Sequence, residues 1–367
     1  MRKSPKNLCA VHLRFPAQML SNSDSPWPQL LESLLEDREI DPTQTAQLMR
    51  AWLAEELAPV QTGAFLAALQ ARRPRGSELA AMADVLIQAC LLPCNPPNLP
   101  MVDICGTGGD RADTFNISTA AAFTAAACGA HVAKHGNRSA SSRVGSADVL
   151  EALGLNLRAS ADVVIAALIT TRVTFLFAPA WHPALINLAP LRRRLGIRTI
   201  FNLIGPLVNP LRPQAQVLGV ASADLLDPMA QALLDFGLQR AVVVHGAGGL
   251  DEASLEGPNI LRLVEKGKIR EESVTATELG LTTAPISALC GGDLAANVRV
   301  LSDVLQGRGS VPHRDVVALN TALVLWAAGL QNDLRAAVGQ ACEALASGLA
   351  WQYLEQLRQA LKPVAKK

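Results

Sequence analysis

Residues 106–110 have the sequence Gly-Thr-Gly-Gly-Asp and directly follow an apolar run at residues 101–105. Glycines let the backbone approach an anion closely and point successive N–H groups at it. Residues 114–119, Thr-Phe-Asn-Ile-Ser-Thr, then lead into an alanine-rich helical pattern, and the N-terminus of a helix carries about half a unit of positive charge. This arrangement predicts a binding site for a phosphate or pyrophosphate group.

Taken alone, this glycine cluster is a weak signal. Turns need glycine for their own geometry, and Asn116, Ser118 and Thr119 are also ordinary helix caps. The fingerprint of dinucleotide-binding proteins, Gly-x-Gly-x-x-Gly, would end on a glycine where this chain has Arg111. A dinucleotide ligand is therefore disfavoured.

A second polar cluster strengthens the prediction. Residues 134–142 read Lys-His-Gly-Asn-Arg-Ser-Ala-Ser-Ser and follow the next predicted strand. Because the carboxyl ends of parallel strands meet at one edge of a sheet, both clusters are expected at the edge where open α/β sheets bind ligands. The two clusters can therefore converge on a single polyanion.

The elements that must position these clusters are of two kinds, and the first is helical. Residues 29–92 show apolar side chains at spacings of three and four, which indicates several short helices without strands. Asp41 followed by Pro42 marks one helix start, and Pro59 marks another boundary. Residues 92–100 contain four prolines and therefore form a linker or hinge.

From residue 101 onwards, strand and helix patterns alternate. A strand at residues 101–105, a helix at about 118–129 and a strand at 131–134 form a unit that favours a parallel sheet with helices on both faces. Further strands are predicted at residues 174–178, 215–221 and 241–245, and helices at 301–305 and 316–328. Residues 257–288 fit this alternation least and could contain extra antiparallel strands. The fold class is therefore α/β, after an all-helical part.

Charge and cysteine content exclude some functions. Lys plus Arg number 33 and Asp plus Glu 32, a net charge of +1, so no overall field attracts nucleic acid or an anionic membrane. The seven cysteines are scattered among apolar residues, as is typical of a reducing compartment, and we expect a cytoplasmic protein. No apolar run is long enough for a transmembrane helix. The first residues are basic, but Pro5 and Pro16 interrupt any helical transit peptide, so a disordered tail is expected.

Seven longer motifs lie at residues 106–110, 115–119, 134–139, 145–148, 177–179 with 182–183, 198–202 with 205–207, and 249–252. Together they resemble the motifs of the anthranilate phosphoribosyltransferases. The resemblance extends from about residue 30 to the C-terminus, and residues 1–28 are an extension. Val208 departs from the family at a position where threonine is common, and Arg72 with Arg73 replaces a frequent lysine-glycine.

This resemblance implies a nucleoside-phosphorylase-like fold, in which a small all-helical domain is hinged to a large α/β domain with a mostly parallel central sheet. The helical domain would comprise residues 29–95 with a contribution from about 183–200. The large domain would comprise residues 96–182 and 201–367. Ligands would bind in the cleft, and the protein would be a homodimer that associates through the helical domain.

The resemblance also implies a reaction, an early step of tryptophan synthesis. The phosphoribosyl group of phosphoribosyl pyrophosphate (PRPP) would pass to the amine of anthranilate, with release of pyrophosphate. Mg²⁺ would be required, as two ions of which one or both arrive with PRPP, and would be held by Ser118, Asp251 and Glu252. An adjacent acidic pair is usually a solvated turn, but beside a pyrophosphate it suits magnesium, which prefers one or two carboxylates plus substrate oxygens.

The family's substrate-binding residues can be carried over onto matching positions of this chain. Arg192 would meet the anthranilate carboxylate through its planar guanidinium, although Arg193 and Arg194 leave the register of this triple arginine open. The anthranilate site would use Gly106, His135, Asn137, Pro179 and Arg192. The PRPP site would use Gly106, Thr107, Gly109, Asp110, Thr114, Asn116, Ile117, Ser118, Thr119, Lys134, His135, Gly136, Asn137, Arg138, Ser139, Ala140, Ser141, Ser142 and Ser146.

Two alternative functions stay open at this point. A pyrimidine nucleoside phosphorylase of the same fold would use a similar glycine turn and lysine to bind free phosphate, but residues 134–137 and the acidic pair at 251–252 favour the transferase. A non-catalytic relative would bind nucleic acid through a basic surface, and the net charge of +1 argues against it. We therefore expect small-molecule substrates, with no nucleic-acid or membrane partner.

Overall fold

The computed structural model describes residues 26–362, except 91, 94 and 139–143. The predicted N-terminal tail therefore lies almost wholly outside the described residues. The same holds for Ser139, Ala140, Ser141 and Ser142 of the second polar cluster. Within the part of the chain that the structure describes, no helix combines the length and the apolar composition needed to cross a bilayer.

Four helices precede the first strand: α1 (Trp27–Leu35), α2 (Pro42–Leu53), α3 (Pro59–Arg72) and α4 (Gly76–Gln88). Two of them begin at the prolines that the sequence indicated. Asp41 caps α2, because its Oδ1 accepts the Gln44 N–H at 2.9 Å while the Gln44 side chain accepts the Asp41 N–H at 3.2 Å. Before residue 102, the described residues contain no strand.

The rest of the chain is built on a seven-stranded sheet with the strand order β3-β2-β1-β4-β5-β6-β7. The first five strands pair in parallel, whereas β6 pairs antiparallel with both β5 and β7. The extra antiparallel strands expected within residues 257–288 are thus confirmed. The strands are β1 (Val102–Gly106), β2 (Val132–Gly136), β3 (Val173–Phe177), β4 (Ala215–Gly219), β5 (Arg240–His245), β6 (Asn259–Glu265) and β7 (Lys268–Val274).

Helices connect the parallel strands and cover the sheet. The strand order reverses after β3, since the chain then returns to the far side of β1 to form β4. Open α/β sheets bind ligands at such a reversal point. The remaining helices are α5 (Ile117–Ala127), α6 (Ser146–Ala152), α7 (Ala161–Thr171), α8 (Ala178–Trp181), α9 (Ala189–Leu195), α10 (Ile200–Ile204), α11 (Leu226–Asp235), α12 (Leu294–Leu305), α13 (Val311–Ala327), α14 (Leu334–Ala346) and α15 (Leu349–Ala360).

Two hydrophobic cores lie on the two faces of the sheet. Because side chains alternate along a strand, neighbouring residues of β5 enter different cores. Val242 and Val244 belong to the core that contains α5 and α13, whereas Ala241 and Val243 belong to the core formed with α1–α4 and α11. The helical part of the protein is therefore packed on the sheet through β4, β5 and α11.

Candidate active site

A cavity of about 480 Å³ lies at the carboxyl ends of the parallel strands. One wall consists of the glycine turn after β1, the residues after β2 and the loop after β5, which carries Asp251 and Glu252. The other wall is the connection between β3 and β4, which carries Arg192 and Arg198. The two predicted anion-binding clusters and the acidic pair therefore meet in one cavity.

The glycine turn, residues 106–110, is held against the neighbouring strand and loop. The Thr107 N–H donates to the Gly219 carbonyl at 2.9 Å, and the Gly108 N–H donates to Asp251 Oδ2 at 2.6 Å. A Cβ built on Gly106 would lie 2.2 Å from that Oδ2, and one built on Gly219 would lie 1.5 Å from the Asp251 carbonyl oxygen. Glycine is therefore required at both strand ends so that Asp251 can reach the turn.

Asp110, Asp251 and Glu252 form a carboxylate cluster, in which one oxygen from each residue lies within 4.8 Å of the others. Burial and the charge of Asp110 raise the pKa of Asp251 to about 7, and burial with both neighbouring carboxylates raises the pKa of Glu252. Such a group of hard oxygen ligands is the kind that Mg²⁺ prefers, so these residues fit the predicted ion. Asp110, expected to bind the phosphoribosyl substrate, thus lies among the predicted metal ligands.

Lys134, on β2, and Ser118, in the first turn of α5, lie beside the carboxylate cluster. Lys134 is only 4% exposed, and its Nζ donates to the Ile104 carbonyl at 2.7 Å and to Ser118 Oγ at 3.2 Å. Burial lowers the pKa of Lys134, while Asp103 and Glu252 favour its charged form. A hydrogen bond from the Ser118 backbone to Glu252 places this serine beside both the lysine and the carboxylates.

The fully buried Asp103, on β1, lies beside Lys134 and is bonded to its neighbour in β2, His135. Its carboxylate accepts the His135 N–H at 3.1 Å and the Asn209 side-chain amide at 2.9 Å. Burial raises the pKa of Asp103 to about 6, although the positive charge of Lys134 acts to lower it. These bonds join β1, β2 and the segment before β4 into one support for the cavity floor.

Two histidines lie on the cavity wall. His135 Nδ1 is 3.1 Å from the Gly205 carbonyl and His182 Nε2 is 2.8 Å from the Val208 carbonyl. Since carbonyls only accept, these ring nitrogens carry the protons. Burial lowers the pKa of His135 to about 3 and lowers that of His182, so both rings are neutral near pH 7. His135 Nε2 has no partner among the described residues.

Arg192 is the arginine of the triple run that lines the cavity. Its Cζ lies 5.2 Å from the centroid of the Phe201 ring, and its Nη2 donates to Asn202 Oδ1 at 3.4 Å. Burial lowers the pKa of Arg192, whereas Arg193 and Arg194 are exposed. Burial therefore favours the register in which Arg192 faces the ligand.

The structure brings most of the predicted residues to the cavity, with exceptions. Ile117 and Thr119 are completely buried and do not line it, because α5 is enclosed on nearly every side. Asn116 makes no side-chain capping bond to α5, so helix capping does not account for this residue. The predicted residues that line the cavity are Gly106, Thr107, Gly109, Asp110, Thr114, Asn116, Ser118, Lys134, His135, Gly136, Asn137, Arg138, Ser146, Pro179, Arg192, Asp251 and Glu252.

Among the cavity-lining residues to which the sequence gave no role, three lie close together in one motif: Arg198, Phe201 and Asn202. They belong to a motif that was noted as a resemblance without a function. A signal was present, because this motif follows the triple arginine and directly precedes Gly205. The position of this motif on the cavity wall follows from the strand order, because the connection from β3 to β4 must return past β1.

Comparisons with known proteins agree on one family. Residues 28–90 match a family described as "Glycosyl transferase family, helical bundle domain", and residues 98–351 match "Glycosyl transferase family, a/b domain". An anthranilate phosphoribosyltransferase of Prochlorococcus marinus (strain MIT 9313) is 68% identical over 339 residues, which are 92% of this chain and 97% of that protein.

Solved structures give the same result. The crystal structure of anthranilate phosphoribosyltransferase from Thermus thermophilus is 43% identical with a TM-score of 0.84, covering 90% of this chain and 98% of that chain. The enzyme from Saccharomyces cerevisiae in complex with PRPP and Mg has a TM-score of 0.83, covering 93% of this chain and 98% of that chain. At 24% identity, the yeast enzyme supports the fold alone.

Proposed function

The chain belongs to the anthranilate phosphoribosyltransferase family, and from that premise we propose that its cavity transfers the phosphoribosyl group of PRPP to the amine of anthranilate, with release of pyrophosphate. The observation that carries this proposal is the meeting of the glycine turn, Lys134, the carboxylate cluster and Arg192 in one cavity. A nucleoside phosphorylase would not need a cation for an acceptor carboxylate. The transferase is therefore favoured over both alternatives considered from the sequence.

The donor substrate would bind at the glycine turn. The reaction breaks the bond between ribose C1 and a pyrophosphate oxygen, which leaves with the bonding electrons. Because the Thr107 and Gly108 N–H groups are already bonded, we assign pyrophosphate to the N–H groups of Gly109 and Asp110, beside the positive end of the α5 dipole. Lys134 adds a compact positive charge, and preorganised donors of this kind contribute about 3 kcal/mol each to the transition state.

Mg²⁺ would be held by Asp251, Glu252 and Ser118, together with Asp110, as two ions of which one or both arrive with PRPP. When bound, magnesium neutralises and orients the oxygens of the departing pyrophosphate. The contribution of the chain is to keep the carboxylates close together. The bond from the Gly108 N–H to Asp251 and the serine backbone bond to Glu252 support that arrangement.

Anthranilate would bind at Gly106, His135, Asn137, Pro179 and Arg192. Its carboxylate would pair with Arg192, whose guanidinium is oriented by Asn202. Neutral His135 and Pro179 would form an uncharged wall for the aromatic ring. The amine nitrogen attacks ribose C1 and then loses a proton, and since an aromatic amine needs little basic assistance, most of the catalytic effect is positioning and leaving-group stabilisation.

The organisation of the protein is part of the proposal. Residues 29–95 with about 183–200 would form a helical domain, and residues 96–182 and 201–367 the α/β domain. Leu35 and Val60, on α1 and α3, are 69% and 79% exposed, and such apolar side chains suit a homodimer interface through the helical domain. The described cysteines are free thiols, as expected for a cytoplasmic enzyme. Sedimentation equilibrium would test this by measuring whether the mass in solution is that of a dimer.

The activity can be tested by following the loss of anthranilate fluorescence when purified protein is mixed with Mg²⁺ and PRPP. Omitting PRPP provides the blank, and pyrimidine nucleoside with phosphate tests the phosphorylase alternative. The double variant Asp251→Ala, Glu252→Ala should keep its fold by circular dichroism and lose turnover. Wild-type rates in that variant at millimolar Mg²⁺ would remove the metal assignment, and a wild-type protein that consumes no anthranilate would refute the proposed function.

A further inference from the structure

Arg198 lies between α9 and α10 and reaches from that wall of the cavity to the glycine turn. Its Nη2 donates to the Thr107 carbonyl at 2.8 Å. A Cβ built on Gly109 would lie 1.8 Å from Arg198 Nη1 and 2.5 Å from Cζ, so the guanidinium lies directly against this glycine. Gly109 also has φ +91°, so both its backbone and its contact with Arg198 require glycine at this position.

The glycine turn has other attachments, and those to Gly219, Ala221 and Asp251 come from the sheet side. The Ala221 N–H donates to Thr107 Oγ1 at 3.4 Å. The Thr107 N–H bonds to Gly219 at the end of β4, and the Gly108 N–H bonds to Asp251 after β5. Glycines are free to adopt many backbone conformations, and ordering each residue costs about 1–2 kcal/mol. Arg198 supplies the attachment from the opposite wall and so restricts the directions of the N–H groups that follow Thr107.

Two nearby carboxylates, Asp110 and Asp251, favour the positive charge of the Arg198 guanidinium. Burial lowers the pKa of Arg198 and Arg73 adds to that effect, whereas Asp251 and Asp110 favour the charged form. An arginine nevertheless stays protonated at any pH at which the protein folds. The positive charge of Arg198 therefore reduces the repulsion within the carboxylate cluster and helps to keep Asp110 close to Asp251.

The segment that carries Arg198 is bonded to the predicted acceptor site. The Thr199 N–H donates to Asn202 Oδ1 at 2.9 Å, and the same oxygen accepts Arg192 Nη2 at 3.4 Å. Since Arg198 and Thr199 are adjacent, one bonded unit extends from Thr107 to Arg192. The wall that orients the acceptor arginine therefore also holds the donor turn.

We propose that Arg198 is a positioning residue for PRPP: it holds the glycine turn from the wall between β3 and β4 and thereby aims the Gly109 and Asp110 N–H groups at the pyrophosphate. It acts through the turn and is assigned no contact with substrate. The inference rests on the proposed function, because the anion that the turn receives is PRPP. A guanidinium is required, since its Nη2 bonds to the Thr107 carbonyl while its Nη1 lies against Gly109, and a lysine ammonium, a single compact nitrogen, cannot fill both places.

The test compares Arg198→Ala and Arg198→Lys with Arg194→Ala, an exposed arginine on the same connection that serves as the matched control. PRPP binding is measured by titration calorimetry with Mg²⁺ and no anthranilate, and steady-state rates are measured while each substrate is varied. Arg198→Ala should weaken PRPP binding and lower kcat/KM for PRPP by about 10- to 100-fold, the range for one hydrogen bond to a charged group. KM for anthranilate at saturating PRPP should change by less than about threefold, on the scale of an indirect effect.

Each outcome decides the inference. PRPP binding by Arg198→Ala within twofold of wild type overturns it, and so do equal losses for both substrates accompanied by a lower Tm, which indicate a general structural role. Full recovery in Arg198→Lys contradicts the need for a guanidinium, and this variant alone decides the matter where Arg198→Ala does not fold. Active wild type with unaffected variants refutes only this inference, whereas wild type that binds no PRPP refutes the proposed function.

Discussion

Removing one charge from the carboxylate cluster should stabilise the metal-free protein and weaken its response to magnesium. Asp251→Asn is the suitable change, because the amide oxygen can still accept the Gly108 N–H and the side chain keeps its volume beside Gly106. Asp251 is 8% exposed and lies within 4.8 Å of two other carboxylates. Its charge is therefore unfavourable in the folded protein until a cation binds.

The magnitude follows from the pKa of Asp251, which burial and Asp110 raise from 3.8 to about 7. A tenfold change in proton affinity corresponds to about 1.4 kcal/mol, so the wild-type residue destabilises the folded state by about 4 kcal/mol at pH 8 and about 2 kcal/mol at pH 5. Because the folded pKa lies above the unfolded one, stability falls as pH rises from about 4 to 7 and is constant above that range. Asparagine does not titrate, so the variant lacks this loss.

The assay is thermal unfolding in EDTA at pH 5 and pH 8, followed by addition of millimolar Mg²⁺. With an unfolding entropy of about 2.1 cal/mol/K per residue over 367 residues, 4 kcal/mol corresponds to a Tm gain of about 5 °C at pH 8. The gain should be smaller at pH 5, and Mg²⁺ should raise the Tm of wild type more than that of the variant. Glu56→Gln, at an exposed position, is the control. A lower Tm for Asp251→Asn in EDTA at pH 8, or a gain independent of pH, would refute the reasoning.

Two further substitutions test other parts of the site. Arg192→Ala should raise KM for anthranilate by about 10- to 100-fold, as expected for a lost charged hydrogen bond. KM for PRPP should stay nearly unchanged. Equal effects on the two KM values, or a similar effect of the control Arg193→Ala, would contradict the assignment of Arg192 to the acceptor site. Gly219→Ala should destabilise the protein by about 3 kcal/mol or more in urea unfolding, because the new Cβ would lie 1.5 Å from the Asp251 carbonyl oxygen. The control Gly339→Ala, in α14 with open space around it, should leave the stability unchanged or raise it.

The succession of helices and strands could be predicted from local signals, but the strand order could not. Prolines at 42 and 59 marked helix starts because proline fits the first turn of a helix. Alternating apolar runs marked the strands. Which strands become neighbours depends on packing between distant segments, so the placement of β4 beside β1 and the crossing of the cavity by residues 178–214 became visible only in the structure.

The meeting of the two polar clusters in one cavity was predictable, because each cluster directly follows a strand and lies at the same edge of the sheet. Motif membership proved too coarse for Ile117 and Thr119, since the motif that leads into α5 includes side chains that serve the core. The position of Asp110 beside Asp251 depends on the fold of a glycine turn, which has many backbone options. In the sequence, nothing distinguishes Arg198 from other charged residues that precede a helix, and only the structure shows its hydrogen bond to the Thr107 carbonyl.

The hydrogen bond from Gly108 to Asp251 joins residues 143 positions apart. During synthesis, β1, β2 and β3 leave the ribosome before any residue of β4 or β5. A nascent chain that ends after β3 already carries the glycine turn and Lys134, yet it lacks Arg192, Arg198 and the acidic pair. If the proposed site is correct, we therefore expect the ability to bind the donor substrate to be acquired late in translation, after the polypeptide has crossed back over β1, and a prematurely terminated product not to compete for PRPP.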